Sequence, residues 1–298
     1  MYSGIWLPLV TPFRSNKVDV DALQKLTERY ARTGISGFVV LGTTGEAALL
    51  SEIERVTVLQ AVTDVVANWL PVLVGVSGLD TRDVVREMQR LEHWDIAGFL
   101  AAAPAYLCPN QEGLMWHFER IARATQRHVV LYDVPHRTGV QIETETVARL
   151  CELDNVVAIK ACAAQRYESV GQLNIDMLCG TDSAFLKCLD AGGVGGILAS
   201  AHVFGDLLIE VQTFAQTGQR QAAQALFEQL RPLIDLLFST PNPSSIKALL
   251  ALDGDISDEV RMPITPVTSE QRERLIQTKG DLDRVMETTL GKAGNFAS

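Results

Sequence analysis

Cysteine and histidine are scarce in this sequence, with five of each among 298 residues. The cysteines (Cys108, Cys151, Cys162, Cys179 and Cys188) are odd in number, and their spacings match no disulfide or zinc framework. Most lie in apolar stretches, where a thiol behaves as a small hydrophobic group. They read as reduced core thiols of a cytoplasmic protein. The histidines (His93, His117, His128, His136 and His202) are scattered, and no pair has ligand spacing, so no metal site is expected. Basic residues are outnumbered 26 to 36, for a net charge of −10. No nucleic-acid partner is expected without a basic face, and the charge speaks only for solubility and repulsion of polyanions. Apolar runs stop short of the ~18 residues that a membrane span needs. The stretch Met1–Pro8 lacks the basic-then-apolar order of a signal peptide.

What the sequence does hold is alternation. Eight short apolar runs read as strands: Ile5–Val10, Gly37–Leu41, Val72–Val76, Gly98–Ala102, Val129–Val134, Val156–Cys162, Met177–Gly180 and Gly196–Ala199. Bounded by Gly, Pro, Thr or Asp, they suit strands buried on both faces. Between them lie amphipathic segments, at Asp19–Thr33, Ser51–Trp69, Thr81–His93, Gln111–Thr125, Glu143–Leu153, Ser183–Ala191 and Phe204–Thr217, with a weaker one at Tyr167–Leu173. Ser51 and Glu54 have capping-box spacing, in which each satisfies a free backbone donor of the other. Strand–helix alternation repeated eight times predicts parallel strands with right-handed crossovers, hence an α/β fold, a (β/α)8 TIM barrel over residues 1–217. After Thr217 the strands stop. Gln221–Ser239, Pro243–Leu252 and Ser269–Leu290 predict a C-terminal helical extension over residues 218–298, packed on the barrel, with Gly291–Ser298 as a frayed tail.

A barrel of this kind places its chemistry at the C-terminal ends of the strands. The second strand ends in Gly42-Thr43-Thr44-Gly45-Glu46, a turn able to hold a small carboxylate with hydroxyls and amides, or simply an ordinary strand-to-helix turn. The fourth runs into Pro104-Ala105-Tyr106. The fifth ends in Tyr132-Asp133-Val134-Pro135-His136-Arg137-Thr138-Gly139. There a phenol can move a proton and a guanidinium can clamp a carboxylate, while His136 reads as a loop surface residue. The sixth contains Lys160, the one charge between Asp154 and Arg166. A strand buried on both faces is a costly place for an ammonium. Burial is expected to lower its pKa from ~10.4 toward ~7.5, which yields a free amine able to form a Schiff base. The competing readings are a lysine that snorkels to solvent or one paired with Glu46. Glycines at 192, 193, 195 and 196 either open the backbone to a ligand or simply allow a tight entry to the last strand.

Taken in order, Pro8-Leu9-Val10-Thr11-Pro12-Phe13, Gly42-Thr43-Thr44-Gly45-Glu46, Tyr132-Asp133-Val134-Pro135 with Arg137-Thr138-Gly139, Ile159-Lys160, Gly192-Gly193 to Ile197, and Asn242-Pro243 with Lys247 form one pattern. Over nearly its whole length the chain resembles the dihydrodipicolinate synthase / N-acetylneuraminate lyase family of pyruvate-dependent class I aldolases. Within that family Arg137 points to the synthase branch, because the sialic acid lyases usually show Leu there and Ser in place of Thr43. The resemblance implies a covalent imine between Lys160 and pyruvate, with no metal or organic cofactor. Thr43 and Thr44 would hold the pyruvate carboxylate, and Ile197 would place its backbone oxygen near the lysine. Tyr132 would act as general acid and base, hydrogen-bonded to Thr43 and Tyr106. Arg137 would meet the carboxylate of the aldehyde partner, aspartate semialdehyde, to give 4-hydroxy-tetrahydrodipicolinate for lysine and diaminopimelate biosynthesis. Tyr106 would cross from a neighbouring subunit, which implies a homodimer or homotetramer.

Several positions depart from the family's usual pattern. Ala161 stands where Glu is usual, and Cys162-Ala163-Ala164-Gln165 replaces a small polar residue and Gly. Gly180-Thr181-Asp182 replaces a frequent Gly-Asp-Asp, Ala47 a frequent Ser, and Asp133 a frequent Asn. These changes keep open a related 2-keto-3-deoxy acid aldolase or dehydratase, or a non-catalytic paralogue that only binds. Ala47, Glu52, Arg55, Leu79 and Ala105 stand where lysine-inhibited members bind their effector, so weak or absent lysine inhibition is expected.

Overall fold

The computed structural model describes residues 2–66 and 69–294. Its strands are β1 (Gly4–Pro8), β2 (Phe13–Arg14), β3 (Lys17–Val18), β4 (Gly37–Val40), β5 (Val72–Val76), β6 (Gly98–Ala102), β7 (His128–Asp133), β8 (Val156–Ala161), β9 (Asp176–Cys179) and β10 (Gly195–Ile197). Eight of them, all parallel, close into a barrel in which β1 pairs with both β4 and β10. The apolar runs thus became strands within a residue or two of their expected bounds. The sequence reading did not resolve the β2–β3 hairpin. Its turn residues Ser15 and Asn16 both adopt left-handed backbone, the conformation a two-residue hairpin turn requires.

Strand register decides what fills the barrel. Trp6, Val39, Leu73, Leu100, Val130, Ala158, Leu178 and Ile197, one from each barrel strand, pack together as an interior layer with Tyr2. Side chains alternate between faces along a strand, so the residues two positions on return to the interior, one level nearer the C-terminal mouth. From Val130 that residue is Tyr132, and from Ala158 it is Lys160. The two are paired across β7 and β8.

The surrounding helices start where their caps dictate. Asp19, Asp80 and Asn110 accept from the backbone amides of Ala22, Arg82 and Gly113 at 3.1, 2.8 and 2.9 Å. The Ser51–Glu54 capping box forms as expected, with the Ser51 amide on Glu54 at 2.9 Å and the Glu54 amide on the Ser51 hydroxyl at 3.3 Å. Its helix spans Glu52–Val66, and the expected stretch to Trp69 falls partly outside the described residues. The final helix runs Ser269–Gly294, so the start of the expected tail, 291–294, is helical and its remainder lies outside the described residues. Helices Ala201–Gln216, Arg220–Leu237 and Ser244–Leu252 share one hydrophobic cluster with the barrel's outer face. Among the described residues no helix is long and apolar enough to cross a membrane.

One buried ion pair ties the C-terminal segment to the barrel mouth. Lys247 Nζ donates to Glu46 Oε1 at 2.5 Å and to the Glu259 carbonyl at 2.9 Å, and both side chains are fully buried. The second Glu46 oxygen accepts from the Arg261 amide at 2.9 Å. Phe13, just before the hairpin turn, lies under both cations, 4.2 Å from Lys247 Nζ and 4.3 Å from the Arg261 guanidinium. Burial pulls the Lys247 pKa down to about 8, against the opposing pull of Glu46. A buried pair is weak evidence of net stabilisation, but removing one partner strands the other. Glu46→Ala is therefore expected to cost about 3–5 kcal/mol of unfolding free energy, read from urea denaturation. An unchanged midpoint would show that this pair does not hold the C-terminal segment in place.

Candidate active site

Lys160 reaches the mouth from β8 with 7% of its surface exposed. Its Nζ lies 4.4 Å from the centre of the Tyr132 ring. Both line a cavity of about 380 Å³, together with Thr43, Thr44, Arg137 and Ile197. Six of the seven site residues expected from the sequence thus border one space. The possible pairing of Lys160 with Glu46 does not occur, because Lys247 occupies that carboxylate. Nor does Lys160 snorkel outward.

The expected fall in the Lys160 pKa is corrected by the structure. Burial does push it down, but the Tyr132 phenol, the Cys162 thiol and the Asp182 carboxyl push it up, and the net direction is upward. Apolar neighbours in the sequence suggested a greasy pocket. The groups that actually surround the amine come from β7, from the turn after β9 and from the end of β8. Asp182 was passed over as a site residue. It is buried, borders the cavity and accepts from the Ser200 amide at 2.7 Å. Burial raises its own pKa, while Ser200 and Lys160 pull it back. The available signal was an acid directly after a buried strand's closing Gly-Thr.

Gly180 makes the space for the lysine. A Cβ there would stand 2.4 Å from Cys162 Sγ and 3.0 Å from Lys160 Cγ and Cε. Cys162 donates from its thiol to the Gly180 carbonyl at 3.3 Å, and burial pushes the thiol pKa up to about 11. Such a thiol is a poor nucleophile at neutral pH. Thr181 donates to the Cys162 carbonyl at 2.8 Å and locks the two strand ends together. On the opposite wall Asn242 donates from Nδ2 to the Thr44 hydroxyl at 2.9 Å, so the C-terminal segment orients the Thr43–Thr44 turn.

Arg137 stands on the loop after β7, in a short helix Pro135–Thr138 closed by Gly139 in the left-handed region. The buried Asp133 anchors this loop by accepting from the Ile142 amide at 3.1 Å and facing Arg166 at 3.6 Å. The anchoring leaves Arg137 exposed at the mouth. His136, expected on the loop surface, is exposed but also borders the cavity. Its pKa is lowered by burial first and then by the charges of Arg137 and Lys160.

Tyr106 is the exception. It is 88% exposed, with φ +69°, and does not border its own chain's cavity. Among the described residues no hydrogen bond joins Tyr132 to Thr43 or Tyr106, so the expected relay is not assembled within one chain. Nor do they contain a group of three or more His, Cys, Asp or Glu side chains placed to hold a metal ion.

Comparison with known proteins places this geometry. Residues 1–279 match the profile of the Dihydrodipicolinate synthetase family. A 4-hydroxy-tetrahydrodipicolinate synthase of Clostridium acetobutylicum is 36% identical over 278 residues, 91% of this chain and 97% of that protein. The solved 4-hydroxy-tetrahydrodipicolinate synthase of Methylacidiphilum fumariolicum superposes with a TM-score of 0.93 at 28% identity, over 97% of this chain and 98% of that one. For the dihydrodipicolinate synthase of Thermotoga maritima the TM-score is 0.92 at 31% identity, over 95% of this chain and 99% of that one. An eight-stranded parallel barrel with a buried lysine at its mouth, matched almost end to end by such relatives, is a member of the dihydrodipicolinate synthetase family.

Proposed function

We propose that this chain condenses pyruvate with aspartate semialdehyde to give 4-hydroxy-tetrahydrodipicolinate, through an imine on Lys160. The observation that carries the reading is a buried lysine amine, beside a phenol, that opens onto a cavity whose adjacent glutamate is bound elsewhere. Relatives that bear the name 4-hydroxy-tetrahydrodipicolinate synthase support the choice of acceptor.

The steps balance without an external redox partner. The neutral Lys160 amine adds to the pyruvate carbonyl, and water leaves to give the imine. The protonated imine draws electrons from the neighbouring carbon, so a methyl proton departs and an enamine forms. The enamine carbon attacks the acceptor's aldehyde, and Tyr132 delivers the proton to the new alkoxide. The acceptor's ammonium then gives up a proton to solvent, and the free amine adds to the imine carbon, expels the Lys160 amine and closes a six-membered ring. Thr43 and Thr44 hold the pyruvate carboxylate, Ile197 offers its backbone oxygen near the lysine, and Arg137 takes the acceptor's carboxylate as a bidentate partner. We assign catalysis to residues 1–217 and closure of the cavity to the helices of 218–298. Exposure of Tyr106 supports a homodimer or homotetramer in which this phenol completes a neighbour's relay.

Pyruvate with borohydride is expected to add a three-carbon group to Lys160, mapped by peptide mass, and Lys160→Ala to abolish it. The amine reacts only when neutral, and its pKa is displaced upward. Trapping at low pyruvate should therefore quicken about tenfold per pH unit between pH 6 and 9. A plateau near pH 7.5 would contradict the upward direction, and no adduct at any pH would remove the proposed function. Gly180→Ala should slow trapping at least ~100-fold with the fold intact by circular dichroism, since a displacement of ~1 Å at a reacting group costs that much. Wild-type trapping rates in that variant would show the lysine to be free of this constraint. Sedimentation should find a dimer or larger, and Tyr106→Phe should lower kcat at least ~100-fold, the usual worth of a proton-transfer group. A fully active monomer would deny Tyr106 its role.

A further inference from the structure

One anionic side chain at the cavity mouth is left unused by this chemistry. Asp235 stands near the end of the helix Arg220–Leu237, and with Ile234 and Phe238 it borders the same space as Lys160, Arg137 and His136. Leu230, Leu233, Ile234 and Leu237 are buried and fix the rotation of this helix. The other carboxylates around the site are committed. Glu46 holds Lys247, Asp133 takes the Ile142 amide and faces Arg166, and Asp182 is buried on the Ser200 amide. Asp235 is exposed, and among the described residues neither it nor Arg137 has an ion-pair partner.

An unpaired cation and an unpaired anion on one small cavity, with a reactive amine below them, define the chemistry of the molecule that fits. We propose that Asp235 binds the α-ammonium of the acceptor while Arg137 binds its carboxylate, so that the pair selects an amino-acid aldehyde. This inference rests on the acceptor proposed above. A sugar-derived aldehyde, or a semialdehyde without an amino group, brings no cation for Asp235 and leaves its carboxylate unpaired. Charge-assisted hydrogen bonds at both ends of the amino-acid group would also set which end of the acceptor points toward the enamine.

Two acceptors that differ only in the amino group provide the test. Wild type, Asp235→Asn and Asp235→Glu are assayed with pyruvate and either aspartate semialdehyde or succinic semialdehyde. Borohydride trapping of pyruvate on Lys160 reports that each variant's site is assembled. The ratio of kcat/KM for aspartate semialdehyde over succinic semialdehyde should fall at least ~10-fold in Asp235→Asn, chiefly through KM for the amino-acid aldehyde, and Asp235→Glu should recover part of it. Equal losses on both acceptors, or no change in the ratio, would overturn the assignment of Asp235. A wild-type enzyme that traps pyruvate but does not consume aspartate semialdehyde would overturn the proposed acceptor, and the assignment of Asp235 with it.

Discussion

Two lysines are buried at the same end of this barrel, and one glutamate decides between them. Glu46 is reached by Lys247, 201 residues further along the chain, and not by Lys160. A carboxylate in contact with Lys160 would hold its proton more firmly and block attack on a carbonyl carbon. With Glu46 spent on the C-terminal segment, the Lys160 amine faces a phenol, a thiol and a carboxyl already bound by a backbone amide. Its pKa is displaced upward, so the proposed reaction requires the amine to lose a proton before it attacks. The Tyr132 ring centre lies 4.4 Å from the amine, and the proposed function gives its phenol a part in that transfer.

The same ion pair makes the C-terminal helices part of the site. Lys247 and Arg261 fasten the segment beyond residue 240 to the turn that carries Thr43 and Thr44. Asn242 then touches Thr44, while Ile234, Asp235 and Phe238 form a wall of the cavity. A bare barrel would leave its mouth open to water. The added helices narrow it, which strengthens every charge interaction inside, and they supply side chains that the strands cannot.

Much of this was legible in the sequence because parallel buried strands read as uninterrupted apolar runs. Lys160 stood out as a single charge in such a run, whereas its register opposite Tyr132 is set by strand pairing that no single run shows. The β2–β3 hairpin was hidden by its two-residue strands, too short for a pattern. The direction of the Lys160 pKa was hidden because two of the groups that raise it, Tyr132 and Asp182, lie more than 20 residues away in sequence and meet it only at the strand ends. Asp182 stood only within a departure from the family's Gly-Asp-Asp pattern, and Asp235 lay unmarked within the Gln221–Ser239 helix. Only the closed barrel, with the helix laid over it, brings both to the cavity that Lys160 borders. Tyr106 kept its expected place on the loop after β6, but a single chain gives it no partner.

The central claim is that Glu46 serves Lys247 and leaves the Lys160 amine open to a small oxo acid. Its most direct test is a crystal structure of the protein grown with pyruvate. The account predicts continuous electron density from Lys160 Nζ to the pyruvate C2, with Glu46 still on Lys247. Pyruvate bound elsewhere with Lys160 unmodified, or Lys160 turned onto Glu46, would contradict it.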